Sequence, residues 1–244
     1  MHNKEAVLFP DPAPDDQTPS DWQLLDSVLA IDSVRTLYVH GPPGVGKTYA
    51  AYHHGRTEAG VFAITLTEDT AAAELRGHYV PDGSKYVWHD GPFTSAMRAG
   101  ARLVINEVTH GAEEALSLLY PVLESIETAR LTLPNNETVR PAPGFHVVCT
   151  DNAAPEELPA ALQDRFQCTF EIKEPHPEAL AALREPFRTA ARRSLSLESE
   201  RRIGLRGWLS LQGLSATLGL EQACRCVFGA ERGAQIFDAM QLSS

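Results

Sequence analysis

The sequence has few cysteines, and their spacing suits neither disulfides nor zinc. Cys149, Cys168, Cys224 and Cys226 are too few and too unevenly spaced for a disulfide framework. Cys224 and Cys226 form a CxC pair, but no further His or Cys lies nearby to complete a zinc site. We therefore expect free thiols in a reducing compartment.

Long apolar runs are also missing. No stretch reaches the roughly 18 apolar residues that a membrane-spanning helix requires. The N-terminus shows no basic region followed by an apolar run, which is the pattern of a secretory signal. These absences predict a cytoplasmic protein with no membrane association.

Positive charge is scarce. The chain has 21 Lys and Arg residues against 32 Asp and Glu residues, which gives a formal net charge of −11. The acidic excess lies in residues 1–176, whereas residues 177–244 are slightly basic. Non-specific binding of duplex DNA needs a positive face, so this composition argues against it.

Proline content and composition divide the 244 residues into three parts. Residues 1–21 carry four prolines among acidic residues, which predicts an extended N-terminal arm. Residues 22–176 alternate apolar strands with helical segments, and residues 177–244 are rich in Ala, Leu and Arg without strand-like runs. The length suits one large domain, here residues 22–176, followed by a small helical lid domain.

Short apolar runs alternate with helical spacing along residues 22–176, which is typical of a parallel sheet covered by helices on both faces. The predicted fold is an α/β P-loop sandwich of αβα type with five parallel strands, followed by the α-helical lid. Residues 69–100 are expected to combine a short helix with a Gly- and Pro-rich section, 77–93. The predicted strands are Thr36–His40, Gly60–Leu66, Arg102–Ile105, Phe145–Thr150 and Cys168–Ile172; the predicted helices begin after Ser20 and cover Thr48–Glu58 and Ala112–Ser125; a hairpin is predicted at Arg130–Val139.

A phosphate-binding loop follows the first predicted strand and opens a helix. Its sequence matches G-x-x-x-x-G-K-[ST] at every position. Glycines let backbone N–H groups turn inward around phosphates, and the helix N-terminus adds partial positive charge. The lysine reaches the β- and γ-phosphates of ATP, and the threonine hydroxyl ligates Mg²⁺. The loop comprises Gly41, Pro42, Pro43, Gly44, Val45, Gly46, Lys47 and Thr48.

The strand at Arg102–Ile105 ends in the polar pair Asn106 and Glu107. P-loop ATPases usually place Asp-Glu here, where the Asp supports magnesium and the Glu polarises the attacking water. Asn106 keeps an acceptor oxygen but lacks the negative charge, so we expect weaker support for Mg²⁺. Glu107 is the candidate general base, and Thr48 and Asn106 are the candidate metal residues.

The chain resembles the MoxR-type AAA+ ATPases, in the wider group that contains the dynein-related and gas-vesicle N-type ATPases. The likeness covers roughly residues 22–215. Beyond the P-loop, it rests on the run from Glu74 to Pro81, on Asp90–Met97 and on Leu103–Glu107, which resemble the family's "dLlG…dGPL..A...G..lllDE". In the family this run contains an insert within helix 2 that often faces the pore of a ring.

Two further residues take roles from the same resemblance. Thr150-Asp-Asn152 resembles the sensor 1 motif "aTxN", which implies that Asn152 contacts the γ-phosphate or the attacking water. Leu158–Phe166 resembles "lp.AllDRF", which makes Arg165 an arginine finger for the neighbouring subunit; the alternative is an internal ion pair with Asp164 or Glu171.

The resemblance also assigns a third role, that of sensor 2. The segment Gly204–Trp208 resembles sensor 2, where the family usually has "S.R", so Arg206 is the candidate. Gly204 departs from that pattern, and Arg201 and Arg202 remain alternatives.

The resemblance implies an ATPase that binds ATP and Mg²⁺, assembles into a homo-oligomeric ring, usually a hexamer, and remodels or matures a partner protein complex. This family typically acts with a von Willebrand factor A partner, and since this sequence shows no such domain, we expect the partner to be a separate protein. Two alternatives stay open. The first is a slow or non-hydrolysing nucleotide-dependent scaffold, which Asn106 favours. The second is a DNA-directed AAA+ motor, which the charge-neutral insert does not favour.

Overall fold

The computed structural model describes residues 20–194 and 202–241. The predicted N-terminal arm lies almost entirely outside these residues, as does Arg201. No helix in the described part of the chain is long and apolar enough to cross a membrane.

The helices are α1 (Asp21–Leu29), α2 (Lys47–His53), α3 (Ala72–Arg76), α4 (Pro92–Ala99), α5 (Glu113–Val122), α6 (Ala160–Gln163), α7 (Pro177–Ala181), α8 (Phe187–Ser194), α9 (Leu205–Leu218), α10 (Leu220–Phe228) and α11 (Ala230–Gln241). The strands are β1 (Thr36–His40), β2 (Val61–Thr65), β3 (Gly77–Asp82), β4 (Lys85–Asp90), β5 (Arg102–Asn106), β6 (Leu131–Thr132), β7 (Thr138–Val139), β8 (His146–Thr150) and β9 (Cys168–Glu171).

The main sheet has five parallel strands in the order β2-β5-β8-β1-β9, which confirms the predicted fold class. Strands β1, β5 and β8 are buried along their whole length, because helices cover both faces of the sheet. One apolar cluster packs α4 and α5 against one face, and a second packs α1 and α2 against the other.

The order of the strands brings three chain segments to one edge of the sheet. Because the strands are parallel, the segments that follow His40, Asn106 and Thr150 all leave the sheet at the ends of β1, β5 and β8. Asn106 lies directly opposite Thr150 in the register of the β5–β8 pair. The carboxyl edge of a doubly wound sheet is the usual position of a ligand site.

Two local predictions need correction. Helix α2 ends at His53 instead of Glu58, because Gly55 adopts a left-handed φ of 66° and packs against the backbone of Leu29. The section 77–93 is largely an antiparallel hairpin of β3 and β4, which joins α3 to α4. Its turn contains Asp82-Gly83, a recognisable turn signal between two alternating runs.

The C-terminal helices pack on one another instead of on the sheet. Helices α7 to α11 contribute to a separate apolar cluster, in which Leu183, Trp208 and Leu211 are buried. The strongest contacts within this group join α9 to α10 and α10 to α11. The helical region that the sequence predicts after the sheet is therefore present, with an apolar core of its own.

A buried arginine links the sheet to the end of α2. Arg102 on β5 is fully buried and donates to the carbonyl oxygens of Ala51 (2.9 Å) and His54 (2.6 Å), at the C-terminal end of α2. Its Nε donates to Nε2 of His146 on β8 at 2.8 Å, so the His146 proton lies on Nδ1, which donates to Gly144 O. Burial lowers the pKa of His146 to about 4 and that of Arg102 to about 10. Arg102 therefore remains a cation beside a neutral imidazole.

Replacing Arg102 with Met should lower the free energy of unfolding by roughly 2–4 kcal/mol, because two buried carbonyls of α2 lose their donor. Removal of the buried charge acts in the opposite direction and offsets only part of this loss. Arg98→Met is the matched control: Arg98 is 44% exposed and pairs with Asp90 and Glu137, so its loss should cost about 1 kcal/mol or less. Urea unfolding of both variants measures the difference. Equal losses would contradict the helix-anchoring role of Arg102.

Candidate functional site

The P-loop connects β1 to α2 and encloses a concave backbone surface. Gly41, Gly44 and Gly46 all have positive φ angles, of 136°, 77° and 116°. Successive residues in such conformations turn their N–H groups to one side and create an anion-binding concavity. The loop forms part of a cleft of about 870 Å³ between the sheet edge and the C-terminal helices.

Lys47 lies at the centre of the cleft, buried, with its ammonium group held by three acceptors. Its Nζ donates to Gly41 O and Pro42 O, both at 2.8 Å, and to Oδ1 of Asn152 at 3.1 Å. Burial lowers the pKa of Lys47 to about 8, while the nearby carboxylates of Glu107 and Asp151 oppose that shift. The loop thus holds a cation in position at the floor of the cleft.

Asn152 connects Lys47 to Glu107. Its Nδ2 lies 3.3 Å from both carboxylate oxygens of Glu107, while its Oδ1 accepts from Lys47. Glu107 has a left-handed φ of 53°, and its N–H donates to Thr150 O at 2.8 Å. The structure therefore brings together three sequence-predicted residues: Lys47 at the start of α2, and Glu107 and Asn152 from the turns after β5 and β8.

The two predicted metal residues differ in their surroundings. Thr48 is exposed and lines the cleft, so its hydroxyl is accessible to a ligand. Asn106 is buried beneath the cleft: its Oδ1 accepts from the hydroxyl of Thr150 at 2.8 Å, and its Nδ2 donates to Ile64 O at 3.4 Å. Both polar ends of the Asn106 amide are thus occupied by neighbours from adjacent strands.

Asp151 is a cleft residue that sequence reasoning missed. It is 2% exposed, and its carboxylate accepts from the backbone N–H groups of Asn152 and Ala153 and from that of Thr109. The sequence feature that indicates Asp151 as a cleft residue is its position directly after a buried strand, between the two residues that match sensor 1.

The C-terminal helices form the other wall of the cleft. Arg206, in the first turn of α9, lines it, and so does Arg202. The structure thus retains both as candidates for sensor 2. The described lining residues include the basic side chains Lys47, Lys173, Arg202 and Arg206 against the acidic Glu107, Asp151 and Glu178. The lining is therefore slightly basic in a strongly acidic chain.

Two hydrogen bonds join the P-loop to the C-terminal region. The N–H of Leu205 donates to Gly44 O at 2.9 Å, and the N–H of His176 donates to Val45 O at 2.8 Å. Gly204 lies so close to the loop that a Cβ added there would be 3.0 Å from the Cα of Gly44. The glycine that departs from the sensor 2 pattern therefore permits the close approach of α9 to the P-loop.

Replacing Gly204 with Ala should lower stability by roughly 1–3 kcal/mol, because the added methyl group presses on the P-loop backbone. Gly213→Ala, inside helix α9, is the control, since a Cβ there meets nothing within 4 Å and alanine favours the helix by about 0.5–1 kcal/mol. Thermal unfolding should shift in opposite directions for the two variants. A shift to higher temperature for both would show that the contact tolerates a side chain.

Arg165 lies away from the cleft. Its backbone carbonyl accepts from Thr36 at the start of β1, whereas the P-loop begins after His40 at the end of that strand, about 13 Å further along. Its guanidinium donates to Glu124 Oε1 at 2.7 Å and 3.1 Å, to Ala161 O and to Tyr120 O, and it stacks over the Tyr120 ring. The internal ion pair is thus with Glu124, and not with Asp164 or Glu171.

A P-loop, a glutamate after one strand and an asparagine after the neighbouring strand, at one edge of a five-stranded parallel sheet, define a P-loop nucleotide-binding protein. Residues 36–166, more than half of the chain, match the AAA domain (dynein-related subfamily). The chain therefore belongs to the AAA+ ATPase family, and the MoxR-type likeness is confirmed by its relatives.

Three relatives illustrate the likeness. Protein NorQ of Paracoccus denitrificans is 30% identical over 154 residues, which cover 59% of this chain and 56% of NorQ. Protein CbbQ of Hydrogenophilus thermoluteolus is 28% identical, over 58% of this chain and 54% of CbbQ. Gas vesicle ATPase GvpN of Haloferax mediterranei is 31% identical, over 56% of this chain and 46% of GvpN. The chain spans about half the length of these curated relatives.

Proposed function

We propose that this protein binds Mg-ATP in the cleft and hydrolyses it as one subunit of a ring. The observation that carries the proposal is the hydrogen-bonded chain from Lys47 through Asn152 to Glu107, directly beside the P-loop. The three residues supply the groups that phosphoryl transfer to water requires: a phosphate-binding cation, an orienting amide and a base.

The residues present fit ATP with magnesium. The P-loop N–H groups and Lys47 would hold the phosphates, and the exposed hydroxyl of Thr48 would provide a protein ligand to Mg²⁺. Magnesium usually keeps several waters and takes only one or two protein ligands beside the phosphates, so a sparse donor set suits it. When bound, the ion would neutralise charge on the transferring phosphoryl group.

Hydrolysis would use the chain's own residues as follows. Glu107 accepts a proton from a water molecule as the water oxygen attacks the γ-phosphorus and the bond to the ADP oxygen breaks. Asn152, which now holds both Lys47 and Glu107, would orient the γ-phosphate or that water. Arg206 or Arg202 would contact the phosphates from the lid side, and Arg165 would act from the neighbouring subunit.

We further propose that the ring, most simply a hexamer, remodels or matures a separate protein complex, with a von Willebrand factor A domain protein as the candidate partner. The family membership supports the ring, since AAA+ relatives assemble head to tail and share sites between subunits. The relative Gas vesicle ATPase GvpN supports hydrolysis, because its name describes it as an ATPase. Asn106 supports the alternative of a slow ATPase that serves as a nucleotide-dependent scaffold.

Lys47→Ala tests the proposed site. Binding of a fluorescent ATP analogue should fall by at least 100-fold, equivalent to about 2.7 kcal/mol, because the buried cation at the phosphates is lost. Lys173→Ala is the matched control, because Lys173 lines the same cleft but is 63% exposed and paired with Glu171. Steady-state phosphate release by the wild-type protein, alone and with proteins that co-purify, separates the ATPase from the scaffold. Unchanged nucleotide affinity in Lys47→Ala would refute the site.

A further inference from the structure

The strand-end pair of this ATPase lacks the carboxylate that would normally support the cation beside the P-loop. The amide of Asn106 carries no charge, and its two polar atoms are bound to Thr150 and Ile64. Its side chain lies below the cleft and is not among the residues that line it. Any fixed negative charge for a metal-bound nucleotide must therefore come from another residue.

Asp151 is a buried carboxylate at the end of the strand next to β5. Strand β8 is the direct neighbour of β5, Asn106 is in register with Thr150, and Asp151 directly follows β8. Asp151 lines the cleft, and in the described part of the chain no basic side chain forms an ion pair with it. Its charge opposes the burial effect on the pKa of Lys47 and adds to the raised pKa of Tyr38.

The same carboxylate also connects the two catalytic turns. Oδ1 accepts from the N–H groups of Asn152 and Ala153 at 2.7 Å and 3.0 Å, and Oδ2 accepts from the N–H of Thr109 at 2.7 Å. Thr109 belongs to the 3₁₀ turn that begins just after Glu107. The carboxylate therefore fixes the turn after β5 against the turn after β8.

We propose that Asp151 is a positioning residue that supplies, from the end of β8, the buried negative charge that Asn106 does not supply at the end of β5. The inference rests on the proposed Mg-ATP site. The carboxylate has two roles. It favours the magnesium-bound form of the nucleotide over the metal-free form, and it fixes the positions of Glu107 and Asn152 relative to each other. On this basis the negative charge lies after β8 instead of at the end of β5, and Asn106 does not by itself make hydrolysis slow.

The sign of the effect on nucleotide binding distinguishes charge from general damage. A fixed negative charge repels metal-free ATP and attracts the cation of Mg-ATP. Asp151→Asn should therefore weaken binding of Mg-ATP while leaving binding of metal-free ATP equal or tighter. The ratio of the two affinities should fall by about tenfold, which corresponds to ~1.4 kcal/mol. A structural defect would weaken both forms alike.

The experiment measures affinity for a fluorescent ATP analogue, in excess Mg²⁺ and in EDTA, for wild type, Asp151→Asn, Asn106→Asp and the double variant. Returning the carboxylate to β5 in the double variant should restore the affinity ratio to within about threefold of wild type. Glu178→Gln, which removes a cleft carboxylate on the lid side, should leave the ratio unchanged. A double variant as defective as Asp151→Asn would overturn the inference.

The single variant Asn106→Asp keeps the test decisive if Asp151→Asn does not fold. With Asp151 already present, a second carboxylate should change the affinity ratio by less than about threefold, whereas a gain of tenfold or more would overturn the inference. Absence of nucleotide binding by the wild-type protein would instead refute the proposed function itself. Binding without rescue would refute only the role of Asp151.

Discussion

Replacing Arg165 with Ala should reduce ATP turnover by about 10³-fold while nucleotide binding by the protomer stays unchanged. Arg165 cannot serve the cleft of its own subunit, because it lies beside the first residue of β1 and the P-loop follows the last. A guanidinium that reaches into the next subunit neutralises charge on the transferring phosphoryl group. Phosphate release and binding of a fluorescent ATP analogue measure the two effects separately.

Glu124→Gln is the control for a purely structural role of Arg165. Within the protomer, Arg165 is held by Glu124 at 2.7 Å, and both side chains are partly exposed. If Arg165 acts in the neighbouring site, breaking this pair should leave turnover unchanged or raise it, because the guanidinium is released. If the arginine only stabilises its own subunit, the two variants should lose activity together.

Mixing Arg165→Ala with Glu107→Gln protein tests action between subunits. Neither parent ring has a complete site, but an interface between an Arg165→Ala subunit and the correct Glu107→Gln neighbour has both groups. Random mixing in equal amounts completes roughly one interface in four, so activity should appear in the mixture. A mixture as inactive as its parents would contradict an arginine finger that acts in trans.

Replacing Glu107 with Gln should leave nucleotide binding within about threefold of wild type and slow turnover by roughly 10²–10⁴-fold. Glutamine keeps the shape of the side chain and an oxygen that can accept from Asn152, but it cannot take a proton from water. The variant should therefore accumulate in the ATP-bound state. Single-turnover chemistry and the nucleotide content of the purified protein measure this directly.

Glu178→Gln is the matched control for Glu107→Gln, since it removes another carboxylate from the same cleft but leaves the strand ends unchanged. We expect its turnover to stay within a few-fold of wild type, because general acid–base catalysis requires contact with the reacting water. Hydrolysis at the wild-type rate in Glu107→Gln would show that the general base is another residue and would refute the role of Glu107.

The parts of the molecule that were predictable are those with a local signal. The P-loop follows from a contiguous sequence motif, and the five strands of the sheet follow from short apolar runs. The β3–β4 hairpin also has such a signal in its alternation and in Asp82-Gly83, although its composition indicates only a Gly- and Pro-rich section. The predicted end of helix α2 lies too late in the chain, because apolar spacing alone does not mark where a helix ends.

The parts that were not predictable depend on pairs of residues far apart in the chain. Arg102 contacts the end of α2, about fifty residues earlier, and Arg165 contacts Glu124, 41 residues earlier. The bond from Thr109 to Asp151 requires the β5–β8 pairing, which no single segment specifies. Propensity and periodicity describe one element at a time, so tertiary contacts of this kind need the folded chain.

The contact between Gly44 and α9 places the P-loop between the amino-terminal ends of two helices. Helix α2 starts at Lys47, directly after the loop, and α9 starts at Leu205, whose N–H already points at the carbonyl of Gly44. Each such end carries roughly half a positive charge from its aligned peptide dipoles. In a chain with a net charge of −11, these two helix ends therefore add positive potential to the slightly basic lining of the cleft. The attraction is short-ranged, so a phosphate group would sense it only inside the cleft.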